Sequence, residues 1–164
     1  MTEASHRLFM ILNEEREHYE LLCLLAEEQK KILIAGQVEK LTANVQLQEK
    51  EIFKITPLAQ ERKEILDRIA KQLKKSNFAL ENCMTDEWEE SSSQLKEAIR
   101  MLVQQVRRLE VLNRGNEKLL KNALGYVQFT LKVLNATSSK DPVQLKEALP
   151  AFSKPSSKFV NQVV

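Results

Sequence analysis

From Leu95 to Leu134 an apolar residue, an amide or, once, a threonine recurs at every third or fourth position: Leu95, Ile99, Leu102, Val106, Leu109, Asn113, Asn116, Leu120, Ala123, Val127, Thr130 and Leu134. Steps of three and four keep side chains on one face of a helix. A run of this length predicts one long helix packed along a seam rather than a compact mixture of strands and loops. Two adjacent seam positions are amides. A buried Asn costs stability unless its polar atoms are hydrogen-bonded, so Asn113 and Asn116 are read as register devices or as part of a binding site. Composition agrees with long helices, since 164 residues include only 3 Gly and 4 Pro, with 5% aromatic and 29% charged residues.

Two further segments show the same period. The first, about residues 3–35, places Leu8, Leu12, Tyr19, Leu22, Ala26 and Leu33 on one face, and Leu21, Leu24, Leu25 and Ile32 widen the stripe toward more than one neighbour. Gly36 follows the cluster Ile32-Leu33-Ile34-Ala35, where a helix-ending glycine belongs. The second segment, about residues 38–74, carries the seam Val38, Leu41, Val45, Gln48, Ile52, Ile55, Ala59, Arg62, Leu66, Ile69 and Leu73. Its phase passes unbroken through Pro57, which predicts a kinked helix rather than a loop. In an antiparallel pairing with the third segment, Gln48 or Arg62 would face Asn113 and Asn116.

Between Ser76 and Ser93 the periodicity lapses into an acidic connection, Glu81, Asp86, Glu87, Glu89 and Glu90, with Trp88 as its anchor onto the helices. Ser91 and Gln94 fit a capping box, so the third helix is expected over about 92–135, roughly 65 Å long. After Ala136 the composition turns to Ser, Lys and Pro. Asp141-Pro142 predicts a short helix through Leu149, and Ala151–Val164 reads as a flexible tail carrying Phe152 and Phe159. The expected fold is all-α, an elongated antiparallel three-helix bundle or coiled coil (1–136), followed by a short helix plus disordered tail (137–164).

The chemistry expected of this sequence is binding, not catalysis. His6 and His18 are too far apart to share a ligand face, Cys23 and Cys83 form no paired motif, and three glycines leave no phosphate loop. Cys23 reads as a small core hydrophobe, and Glu14-Glu15 and Glu27-Glu28 as solvated helix faces. No catalytic, cofactor or metal site is expected. The net charge of +2 sits in the tail after Ala136, leaving 21 of the 25 basic and 21 of the 23 acidic residues to balance elsewhere. That is no footprint for nucleic acid. No apolar run approaches the roughly 20 residues of a membrane span, and no secretory leader is read at the start. A cytoplasmic protein without membrane insertion is the expectation.

The run from Leu109 to Leu134 resembles the FlgN-type flagellar export chaperones, whose Leu-Asn-x-x-Asn-x-x-Leu-Leu motif is met at Leu112, Asn113, Asn116, Leu119 and Leu120. The N-terminal half is similar in its order of Glu27-Glu28-Gln29, Leu33-x-x-Gly36, Val38-Glu39-x-Leu41, Lys50-Glu51 and Arg62 ahead of Leu66. The likeness covers roughly residues 8 to 136. It departs at Gln37, where members place an Asp or Asn cap, and after Ala136, where their Tyr-Gly unit is replaced by Thr137-Ser-Ser-Lys-Asp-Pro142. A role carried by that tyrosine does not transfer.

The resemblance implies a chaperone that binds the C-terminal helical region of hook–filament junction proteins, prevents their premature self-association and delivers them to the flagellar type III export gate. Because the apolar residues after Asn116 cover more than one helix face, the cargo surface is read as Leu119, Leu124, Phe129, Leu131 and Leu134, with Asn113 and Asn116 as register or cargo amides and Phe152 and Phe159 as candidates for docking the export gate. Leu120 and Val127 are read as intramolecular core. The alternative is a self-associating coiled-coil adaptor without cargo. It predicts a homodimer of the cargo-free chain and no special role for residues beyond Leu120.

Overall fold

The structure is a computed structural model and describes residues 3–85, 88 and 92–138. Those residues form four helices and no strand: α1 (Glu3–Ala35), α2 (Val38–Gln72), α3 (Leu80–Met84) and α4 (Ser93–Ser138). The chain divides into two compact units, Met1–Asn116 and Glu117–Val164.

In the first unit α1 and α2 form an antiparallel hairpin. Gly36 ends α1 with φ +66°, the left-handed conformation that glycine adopts without a Cβ clash. Its N–H donates to the Leu33 carbonyl, and the N–H of Gln37 donates to the carbonyl of Ile32 (3.2 and 3.1 Å). This is a Schellman closure. Gln37 supplies no side-chain cap to α2. Lys74 closes α2 the same way at φ +53°, with Lys75 N–H donating to the Ala70 carbonyl at 2.9 Å.

The core of the hairpin is a heptad seam with polar seats. On α1 the buried residues Leu8, Leu12, Glu15, Tyr19, Leu22, Ala26 and Gln29 advance in alternating steps of four and three. Burying each large apolar member is worth about 1.5–3 kcal/mol. On α2 the buried set is Asn44, Ile55, Leu58, Arg62, Ile65, Leu66, Ile69 and Ala70, whereas Val38, Val45 and Ile52 of the expected seam are exposed. The α2 seam is shifted because polar residues take inward positions wherever α1 offers them a partner. Asn44 Nδ2 donates to the Leu25 carbonyl (2.9 Å) and receives Gln48 Nε2 on its Oδ1 (2.7 Å). His18 Nδ1 meets Glu51 Oε2 at 2.7 Å. Arg62 meets Glu15.

The helix α2 continues through Pro57, whose ring lies on the exposed face. The described residues of the connection after α2 carry more structure than their sequence suggested. The five-residue α3 buries Cys83, and the Asn82 side chain accepts a hydrogen bond from the Ala79 N–H at 2.8 Å. Trp88 is buried and meets buried Phe78 edge-to-face, centroids 5.9 Å apart. The N-cap of α4 is Ser92, whose Oγ accepts from the Leu95 N–H at 3.1 Å, and not Ser91, which lies outside the described residues. The short helix and tail expected after Ser138 also lie outside them.

Candidate functional site

The two seam amides separate. Asn116 is buried in the first unit, where its Nδ2 donates to the Ala26 carbonyl (2.8 Å) and to Gln29 Oε1 (2.9 Å). Its partners are on α1. Gln48 and Arg62, expected opposite it, are engaged by Asn44 and Glu15. Asn113 is exposed. Where α1 and α4 touch, they run in the same direction. Cys23 Sγ donates to the Gln105 carbonyl at 3.6 Å, Arg108 pairs with Glu27 at 2.6 Å, and Asn116 follows at Gln29.

Glu15, read from sequence as solvated, is fully buried. Arg62 Nε lies 3.0 Å from its Oε2 and directs its hydrogen toward Oε1 at 3.3 Å, so Oε2 lacks a well-aligned donor. Burial pushes the Glu15 carboxyl up despite the opposing Arg62 charge. Burial, with the Glu15 charge beside it, pushes the Tyr19 hydroxyl up to about 12. Burial also raises the Cys23 thiol, and takes Cys83 up to about 12. Glu15 and Tyr19 lie in the α1–α2 hairpin, Cys23 meets α4 and Cys83 lies in α3. No cluster of three metal-ligating side chains occurs among the described residues.

Among the described residues, large apolar side chains stand exposed along the helical surface of the second unit. Leu124, Tyr126, Val127, Phe129, Leu131 and Leu134 are each between 52% and 73% exposed, and Leu119 and Leu120 are half-buried. Val127, expected in the core, is among the exposed. At about 100° per residue, Leu124, Val127, Leu131 and Leu134 share one stripe, while Leu119, Tyr126 and Phe129 fall on another. A helix packed on one side only would have no need of the second stripe. Phe152 and Phe159 lie outside the described residues.

A second apolar opening lies wholly in the first unit. The wide stripe of α1 is only partly covered, because Leu21 and Leu24 face an open groove of about 790 Å³ completed by Leu25, Leu47 and the 81%-exposed Phe53. The broad composition of α1 predicted this excess of apolar surface, but not that it stays open.

The described residues define an all-α fold whose distinguishing feature is exposed apolar helix surface. Among the described residues no helix is long and apolar enough to cross a membrane. A family model described as "FlgN protein" matches residues 1–143, and the chain belongs to that family. The family is one of flagellar export chaperones, which bind flagellar export substrates. No curated protein and no solved structure matches the chain.

Proposed function

We propose that this chain is a cytoplasmic chaperone that holds the C-terminal helical region of hook–filament junction proteins, blocks their premature self-association and delivers them to the flagellar type III export apparatus. The observation that carries the reading is the pair of exposed apolar stripes on α4 after Asn116. An amphipathic cargo helix is the complement such a surface lacks, and each large side chain it covers is worth about 1.5–3 kcal/mol. On this reading α1, α2 and α4 build an antiparallel three-helix bundle within a helical domain, residues 1–136. Leu119, Leu124, Phe129, Leu131 and Leu134 take the cargo. The segment 137–164 serves delivery through Phe152 or Phe159. Asn116 keeps the register of α4 on α1, and Asn113 is free to meet cargo.

Co-expression with a hook–filament junction protein, intact or lacking its C-terminal helical region, tests this. The intact cargo should co-elute with the chain and the truncated cargo should not. The double variant Leu124→Ala/Phe129→Ala should weaken binding roughly tenfold or more while circular dichroism stays unchanged. Normal binding by that variant places the groove elsewhere. A cargo-free dimer that ignores the junction protein would favour the coiled-coil adaptor.

A further inference from the structure

Between the two apolar stripes on α4 runs a ridge of one charge sign. From residue 118 to residue 138 the charged residues are Lys118, Lys121 and Lys132, with no Asp or Glu among them. At about 100° per residue these three lysines fall within one arc of roughly 60°. Leu124, at the edge of one stripe, borders that arc on one side, and Phe129, at the edge of the other, borders it on the opposite side. Lys118 and Lys132 are exposed. Lys121 pairs with Glu117, just before the stretch, at 2.6 Å. Gly125 and Gln128, which share the space between the stripes, are neutral.

We infer that this surface selects an acidic amphipathic helix, one whose apolar seam is flanked by Asp and Glu. The inference rests on the docking reading of α4 and adds the charge of the partner to it. A helix laid on either stripe brings one flank of its seam beside the lysine ridge. Opposite charges flanking a helix seam set partner choice and orientation, whereas like charges repel a wrong partner. A second copy of the chain is disfavoured on the same ground. Two α4 surfaces set together would bring lysines against lysines.

Two synthetic peptides of about 21 residues, sharing one leucine seam and flanked by Glu or by Lys, supply the probe. Their binding to the full chain is read by fluorescence anisotropy at about 50 mM and about 300 mM salt. Exposed ion pairs are individually weak, so two or three together should make the Glu-flanked peptide bind about fivefold more tightly at low salt. The gap should narrow at high salt, and Lys118→Glu/Lys132→Glu should abolish or reverse it. Equal binding of both peptides, lost in Leu124→Ala/Phe129→Ala, overturns the charge inference and leaves the docking surface standing. Failure of both peptides to bind, or binding indifferent to the double alanine change, overturns the two together. Capture by phosphatidylglycerol vesicles that the Glu-flanked peptide does not displace overturns it in favour of a membrane surface. A dimer by sedimentation that the same peptide does not dissociate overturns it in favour of a second copy.

Discussion

Removing Arg62 while leaving Glu15 in place strands a carboxylate that has no route to water, since Glu15 is 0% exposed. Arg62→Met should therefore destabilise the hairpin by about 3–5 kcal/mol at neutral pH. With a urea slope of about 2 kcal/mol per molar, the midpoint followed by circular dichroism would fall by roughly 2 M. Glu15→Leu should cost less, because Arg62, although buried, has a long side chain that can extend its charged end toward solvent. The double variant, Glu15→Leu/Arg62→Met, should lie near the parent or exceed it by about 1–4 kcal/mol, because the pair's desolvation is only partly offset by one off-centre contact. The pH dependence follows from the raised carboxyl of Glu15. Its folded form holds a proton more readily than the unfolded chain. The parent thus loses stability through this group as pH rises past the usual carboxylate range. The cost of Arg62→Met should likewise shrink on acidification, as the stranded Glu15 protonates. A double variant as damaged as the two singles added together would refute the coupling on which this rests.

Lys74 holds a left-handed conformation that costs a non-glycine residue about 1–2 kcal/mol, so Lys74→Gly should raise the thermal midpoint by roughly 1–4 °C in calorimetry. Asn116→Ala should cost about 1–3 kcal/mol in urea titration, since Gln29 loses its donor in a buried site, whereas Asn113→Ala should change stability by less than about 0.5 kcal/mol. The Lys54 hydrogen bond, and then His18, lower the Glu51 carboxyl, so its contribution is present above the ordinary carboxylate range and lost as pH falls through its depressed value. Glu51→Gln should accordingly lower the melting temperature at neutral pH and leave it unchanged below that value.

Helix boundaries were legible because apolar periodicity and Gly36 are local signals, and Pro57 on an exposed face did not disturb them. The seam on α2 was less so. Hydrophobicity alone traces Val38, Val45 and Ile52, but the inward face belongs to Asn44, Gln48, Glu51 and Arg62, each matched by a polar group on another turn or helix. Glu15 did carry a signal, since it stands three residues after Leu12 and four before Tyr19, in step with the buried stripe. The five-residue α3 had no periodic signal, although Trp88, read as the anchor of this connection, is buried against Phe78. Excess apolar residues on α4 were visible in the sequence. That Val127 joins the exposed set depends on which residues find a partner, and spacing does not report that.

The closure at Gly36 also sets an order of events. Contacts across the hairpin join residues 19 apart at Asn44 and Leu25, and 54 apart at Arg7 and Glu61. Those from α4 to α1 span 81 residues at Arg108 and Glu27, and 90 at Asn116 and Ala26. Chain-closure entropy rises with separation, and near contacts shorten the effective loop for far ones. The hairpin should zip outward from its turn before α4 finds α1. During synthesis it would be complete while α4 is still being made, so the helix that carries the exposed stripes arrives last, onto a scaffold already folded.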